Sequence, residues 1–134
     1  MAYVFMPEHV HLLVRPLVPT CRIADVLWAI KRPSSYRMKK HIEKANPALV
    51  RELTVRDGPE TRGFRFWQEG GGHDRNVTSV KDAVTAAEYL HNNPVRRGLC
   101  GSASEWKWSS WRYYHVPEWT PDPDLPVVHG FSEA

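Results

Sequence analysis

A chain of 134 residues with a formal charge of +3 and two cysteines holds one domain's worth of sequence. It is too short for a metal-dependent hydrolase barrel, which closes at roughly 250 residues, and too poor in cysteine for a disulfide framework or a structural zinc site. Cys21 and Cys100 therefore read as reduced thiols, and the small basic excess suits a polyanion without demanding one. No signal peptide opens the chain, and no apolar run approaches the ~20 residues that span a bilayer. A soluble cytoplasmic protein with no membrane partner is expected.

Ala2 to Met6 reads as a strand, Met6-Pro7-Glu8 as a tight turn, and His9 to Arg15 as the antiparallel partner. Side chains alternate across a strand, so His9 and His11 share one face while Val10, Leu12 and Val14 share the other. Two imidazoles on one face offer two ligands to one metal ion, with the opposite face expected to pack into a core. A third ligand has to come from elsewhere.

Ile23, Val26, Leu27 and Ile30, then Met38 and Ile42, recur at helical spacing from about Ile23 to Ala45. Pro33 falls in the middle, so a kink or two consecutive helices is expected. Lys31, Arg32, Arg37, Lys39 and Lys40, followed by His41, make a basic stretch that reads either as a solvated helix face or as a phosphate-contacting one. Pro47 to Gly63 reads as a loop with a short helix. Phe64 to Gln68 and about His73 to Val77 read as strand pieces interrupted by Gly70, Gly71 and Gly72. The triple glycine lacks the lysine and hydroxyl residue of a phosphate-binding loop.

Ser79-Val80-Lys81-Asp82 fits the pattern that satisfies exposed amides at a helix start. Val80, Ala83, Val84, Ala87 and Leu90 then form a stripe at core-facing spacing. Tyr89 lies off that stripe with Asp82, Thr85, Ala86 and, one turn on, Asn93. Pro94 is expected to stop the helix and push Asn93 toward an extended conformation. Trp106, Trp108 and Trp111, near Tyr113 and Tyr114, pack against the sheet or stack on bases. The tail over residues 117–134, with Pro117, Pro121, Pro123 and Pro126, is too rich in proline for a helix.

The segments Tyr3 to Val14, Phe66-Trp67-Gln68, Tyr89 to Leu99 and Trp108 to Tyr114 together resemble, in order, the motifs of the IS200-like single-tyrosine transposases. The likeness is greatest to the branch associated with repetitive extragenic palindromes. It implies an α+β, ferredoxin-like antiparallel sheet with helices on one face, over residues 1–116. Members of that family open with a further strand and helix, so the chain begins at the second strand. The start is set too late, another chain supplies the strand, or the copy is decayed. Glu8 stands where asparagine or aspartate is common.

The resemblance also implies cleavage and rejoining of single-stranded or hairpin DNA. His9, His11 and Asn93 would hold a divalent cation, Mg²⁺ or Mn²⁺, and Tyr89 would attack phosphorus to leave a 5′-phosphotyrosine and a free 3′-hydroxyl. Lys31, Arg32, Arg37, Lys39, Lys40, Arg96 and Arg97 would contact DNA phosphates. A homodimer, with Tyr89 of one subunit serving the histidines of the other, is compatible with this scheme. Two other readings share its features: a replication-initiator nickase with the same chemistry, and a non-catalytic protein that binds DNA hairpins. A histidine-triad hydrolase is disfavoured because Leu13 stands where that motif needs its third histidine.

Overall fold

The computed structural model describes residues 1–131, so the last three positions of the proline-rich tail lie outside the described residues. The fold is α+β, and its backbone forms two compact units: Met1–Pro16 together with the chain from Arg75 onward, and Leu17–Asp74. Each has its own two-stranded antiparallel sheet.

In the first unit, β1 (Ala2–Phe5) pairs with β2 (Val10–Leu13), and the Met6 amide donates to the His9 carbonyl across the turn. Register places Val4 opposite His11 and Ala2 opposite Leu13, so these side chains share one face. Helix α3 (Val80–His91) covers that face, and Leu90 joins Val4, Met6 and the partly buried Leu13 in the core. The expected core face is thereby corrected. Leu12 and Val14 are exposed, and the histidines lie on the side that α3 covers. Val10-His11-Leu12-Leu13 offers an apolar residue to either face, and contact with α3 decides in favour of Leu13.

The far edge of β1 is paired too. Phe5 N–H donates to Trp108 O, Ser110 N–H donates to Tyr3 O, and Val4 bridges Ser109. Trp106 packs on the core and its indole N–H donates to Phe5 O at 3.0 Å. Among the described residues, β2 pairs with β1 alone. The tail adds no helix through residue 131; Val128 is buried and Phe131 stacks on Tyr114 with ring centres 5.4 Å apart.

Ser79 caps α3 as its spacing predicts, its Oγ accepting from the Asp82 amide at 3.0 Å. Ala87, Leu90 and His91 are buried, whereas Val80 and Val84 are exposed, so the apolar stripe is only half used. The reason is length: twelve helical residues run about 18 Å, while the four-residue strands they cross run about 13 Å. Pro94 does not end the helical path. A further turn, α4 (Asn93–Arg96), begins at once and accommodates the proline in its first turn, where no amide is needed, so Asn93 is helical rather than extended. Gly98, at φ +68°, closes α4: its amide donates to Val95 O and that of Leu99 to Pro94 O, the bond pair of a left-handed C-terminal cap.

In the second unit, α1 (Ile23–Ala45) runs as one helix through Pro33. The expected division into two helices does not occur, and Ser34 Oγ donates back to Ile30 O at 2.6 Å one residue past the proline. Helix α2 (Pro47–Glu52) leads into β3 (Thr54–Arg56), which pairs with β4 (Arg62–Phe64). The strands thus lie earlier than Phe64–Gln68 and His73–Val77. Beyond β4 the chain is held by helix side chains instead. The Trp67 indole N–H donates to Ser34 Oγ at 2.9 Å, and Lys31 Nζ donates to Gly70 O at 2.7 Å.

Candidate active site

The β1–β2 turn and strand put His9 and His11 side by side, both half-buried, with their Nε2 atoms 3.0 Å apart and their rings edge to face. Burial, then the neighbouring His9, pushes the His11 imidazole below its ordinary pKa. That shift favours the neutral ring, which is the form that binds a metal. Two nitrogens that each lie about 2.1 Å from one ion and subtend about 90° are about 3.0 Å apart. The pair therefore matches the bite of a single cation. Without a cation, one neutral ring donates and the other accepts.

Tyr89, on the last turn of α3, is 57% exposed. Asn93 stands one helical turn on, and its side-chain Nδ2 donates to Tyr89 O at 3.1 Å and Leu90 O at 3.2 Å. Those bonds use the amide nitrogen and leave Oδ1, the atom a hard cation takes. The structure thus brings together two pairs, His9 with His11 and Tyr89 with Asn93. Among the described residues no group of three or more His, Cys, Asp or Glu side chains is placed to hold a metal.

A polar link between the two elements was not foreseen from the sequence. Arg97 Nη2 donates to Glu8 Oε1 at 2.5 Å, tying the hairpin turn to the end of α4. The same carboxylate oxygen lies 3.7 Å from His9 Nδ1. Desolvation opposes ionisation of Glu8, but its own backbone amide, Arg97 and His9 together outweigh it and hold the carboxyl below its usual range. Arg96 is the second unforeseen neighbour, its guanidinium 4.6 Å from the centre of the Tyr89 ring. The signal for it was present, since Arg96 follows Tyr89 by two helical turns.

His91 belongs to the core and not to this site. It is buried, its Nε2 lies 2.8 Å from Ser110 Oγ, and that hydroxyl also accepts from the Tyr3 amide at 2.9 Å. Burial, then nearby His115, lowers its pKa to about 4. Of the other basic residues expected at DNA, Lys31, Arg32, Arg37, Lys39 and Lys40 all lie on α1 of the second unit. Lys31 is engaged with Gly70 O, and Lys39 lies 3.8 Å from Glu43. No protein-family model, curated protein or solved structure matches this chain. No described helix is long and apolar enough to cross a membrane.

Proposed function

We propose that this chain is a metal-dependent DNA strand-transfer enzyme of the IS200-like single-tyrosine kind, acting on single-stranded or hairpin DNA. The observation that carries the reading is the His9–His11 pair, with Nε2 atoms at the bite of one cation, on the sheet face covered by the helix that bears Tyr89. The order of the sequence motifs adds to it. In this reading the hairpin and α3 are part of a ferredoxin-like arrangement.

His9, His11 and Asn93 would hold the ion, Mg²⁺ or Mn²⁺; when bound, it polarises the scissile phosphate and neutralises developing charge. The Tyr89 hydroxyl gives up its proton and its Oη forms a bond to phosphorus. The bond from phosphorus to the 3′-oxygen breaks, and that oxygen takes a proton. Cleavage thereby leaves a 5′-phosphotyrosine and a 3′-hydroxyl, and reversal onto another 3′-hydroxyl reseals a strand. Arg96 holds a positive charge beside the nucleophile and draws the phosphate toward it. Arg97, through Glu8, fixes the hairpin turn against the helix end.

The test is a denaturing gel of the purified chain with labelled hairpin and single-stranded DNAs, with Mn²⁺ or with EDTA. The reading predicts a protein-linked band that needs metal and is lost in Tyr89→Phe and His11→Ala. Hairpin binding without any such band in the unaltered chain is the behaviour of a non-catalytic DNA-binding protein and overturns the reading.

A further inference from the structure

Helix α1 carries on one slowly winding face a ladder that alternates ring and cation. Trp28 is 63% exposed with the Arg32 guanidinium 5.1 Å from its ring centre, and Tyr36 is 60% exposed with Lys40 Nζ 4.6 Å from its own. These four residues recur every fourth position, and the two rings lie about 12 Å apart along the axis. An exposed indole and phenol two turns apart are costly to hydrate, and packing inside their own unit does not cover them. Beside them runs a groove of ≈ 780 Å³, whose opposite wall is the segment from Phe64 to Gly70, including Phe66 and Trp67. Lys39 Nζ lies 6.0 Å from the Phe64 ring centre in the same groove.

The charges on this face identify the occupant. Between Asp25 and Glu43, α1 carries Lys31, Arg32, Arg37, Lys39 and Lys40 and no acidic residue. Asp25 is bound to Arg22, and Glu69, on the groove's other wall, is bound to Arg65. A protein partner's apolar side chain would satisfy the rings but bring no anion to Arg32 and Lys40. An unpaired nucleic-acid strand satisfies both, because every base has a face to stack and every linkage an anion. A duplex satisfies only the cations, since its bases are stacked on one another.

We infer that the Trp28–Arg32–Tyr36–Lys40 face is a stacking platform for an unpaired nucleic-acid strand. Bases lie on Trp28 and Tyr36, and Arg32 and Lys40 take the flanking phosphates. The platform is built from Leu17–Asp74 alone and does not rest on chemistry at Tyr89. Its test measures anisotropy of the full chain with fluorescent oligothymidylate and oligouridylate of roughly ten nucleotides, within the usual site sizes of single-strand binders. A fully paired hairpin and inorganic polyphosphate, which is charge without bases, are added as competitors.

Trp28→Ala with Tyr36→Ala should weaken single-strand binding by about thirtyfold or more, as loss of two stacked bases requires, and leave polyphosphate binding unchanged. Trp28→Phe with Tyr36→Phe should restore most of the binding, and the binding should persist in EDTA, without the metal that the proposed cleavage needs. A preference for the deoxy or the ribo strand assigns the strand type. The inference is overturned if the double alanine variant binds single strands like the unaltered chain, or if its binding of polyphosphate or of the paired hairpin falls in parallel.

Discussion

The guanidinium of Arg96 lies 4.6 Å from the centre of the Tyr89 ring, although the two residues belong to different helical segments. The turn at Asn92 keeps the helical path going into α4, so residues seven apart still share a side. A fixed cation thus stands beside the group proposed to attack a phosphate. Arg96→Gln should slow adduct formation about tenfold, by removing one charge-assisted contact, and should lower the salt dependence of hairpin binding by about one counterion. Single-turnover kinetics beside a salt titration separates the two effects. An unchanged rate would leave Arg96 with packing alone.

The Glu8–Arg97 ion pair is half-exposed, so its contribution to global stability should be small and screened by salt. Glu8 has a depressed pKa in the folded protein, so its contribution is present above its unfolded pKa and fades as pH falls through the lower folded value. A double-mutant cycle with Glu8→Gln and Arg97→Gln, read by thermal unfolding, should show coupling at neutral pH and low salt. The coupling should disappear in about 1 M salt.

His91 sets a second pH dependence. Its folded pKa is about 4 against an ordinary 6.5, so between these values the unfolded chain binds more protons. Stability should be complete above pH 6.5 and should fall by about 3 kcal/mol as pH drops through that window. Urea unfolding at stepped pH checks this. His91→Gln should flatten the slope over the same interval.

Gly98 terminates the turn that presents Arg96 and Arg97, at φ +68° with nothing within 4 Å of where a Cβ would sit. The cost of a side chain there is conformational and not steric. Gly98→Ala should destabilise by about 1 kcal/mol and Gly98→Asn by less, measured by chemical denaturation. Equal losses for both would point to a clash instead.

Particular residues show what the sequence could and could not convey. The hairpin was legible because Met6-Pro7-Glu8 separates two β-rich runs, and the start of α3 because Ser79 and Asp82 form a local hydrogen-bonded unit. Strands β3 and β4 have three residues each, too few for alternation to register. Pro94 looked like a stop because proline breaks a helix interior, but it begins a new turn. Which face of β2 meets the core depended on a contact with Leu90, ninety positions into the chain, and adjacent leucines at 12 and 13 gave no local clue. The imidazole pair needed only strand periodicity, whereas the ion pair of Glu8 and Arg97 spans 89 residues and required the fold.

Mass spectrometry of the chain after reaction with a cleavable hairpin DNA and Mn²⁺ tests the central claim most directly. The account predicts a mass increase equal to the 5′-phosphorylated product strand, mapping after digestion to the peptide that holds Tyr89, and absent with EDTA or in His11→Ala. An adduct on another residue, or cleavage that leaves the protein's mass unchanged, would contradict it.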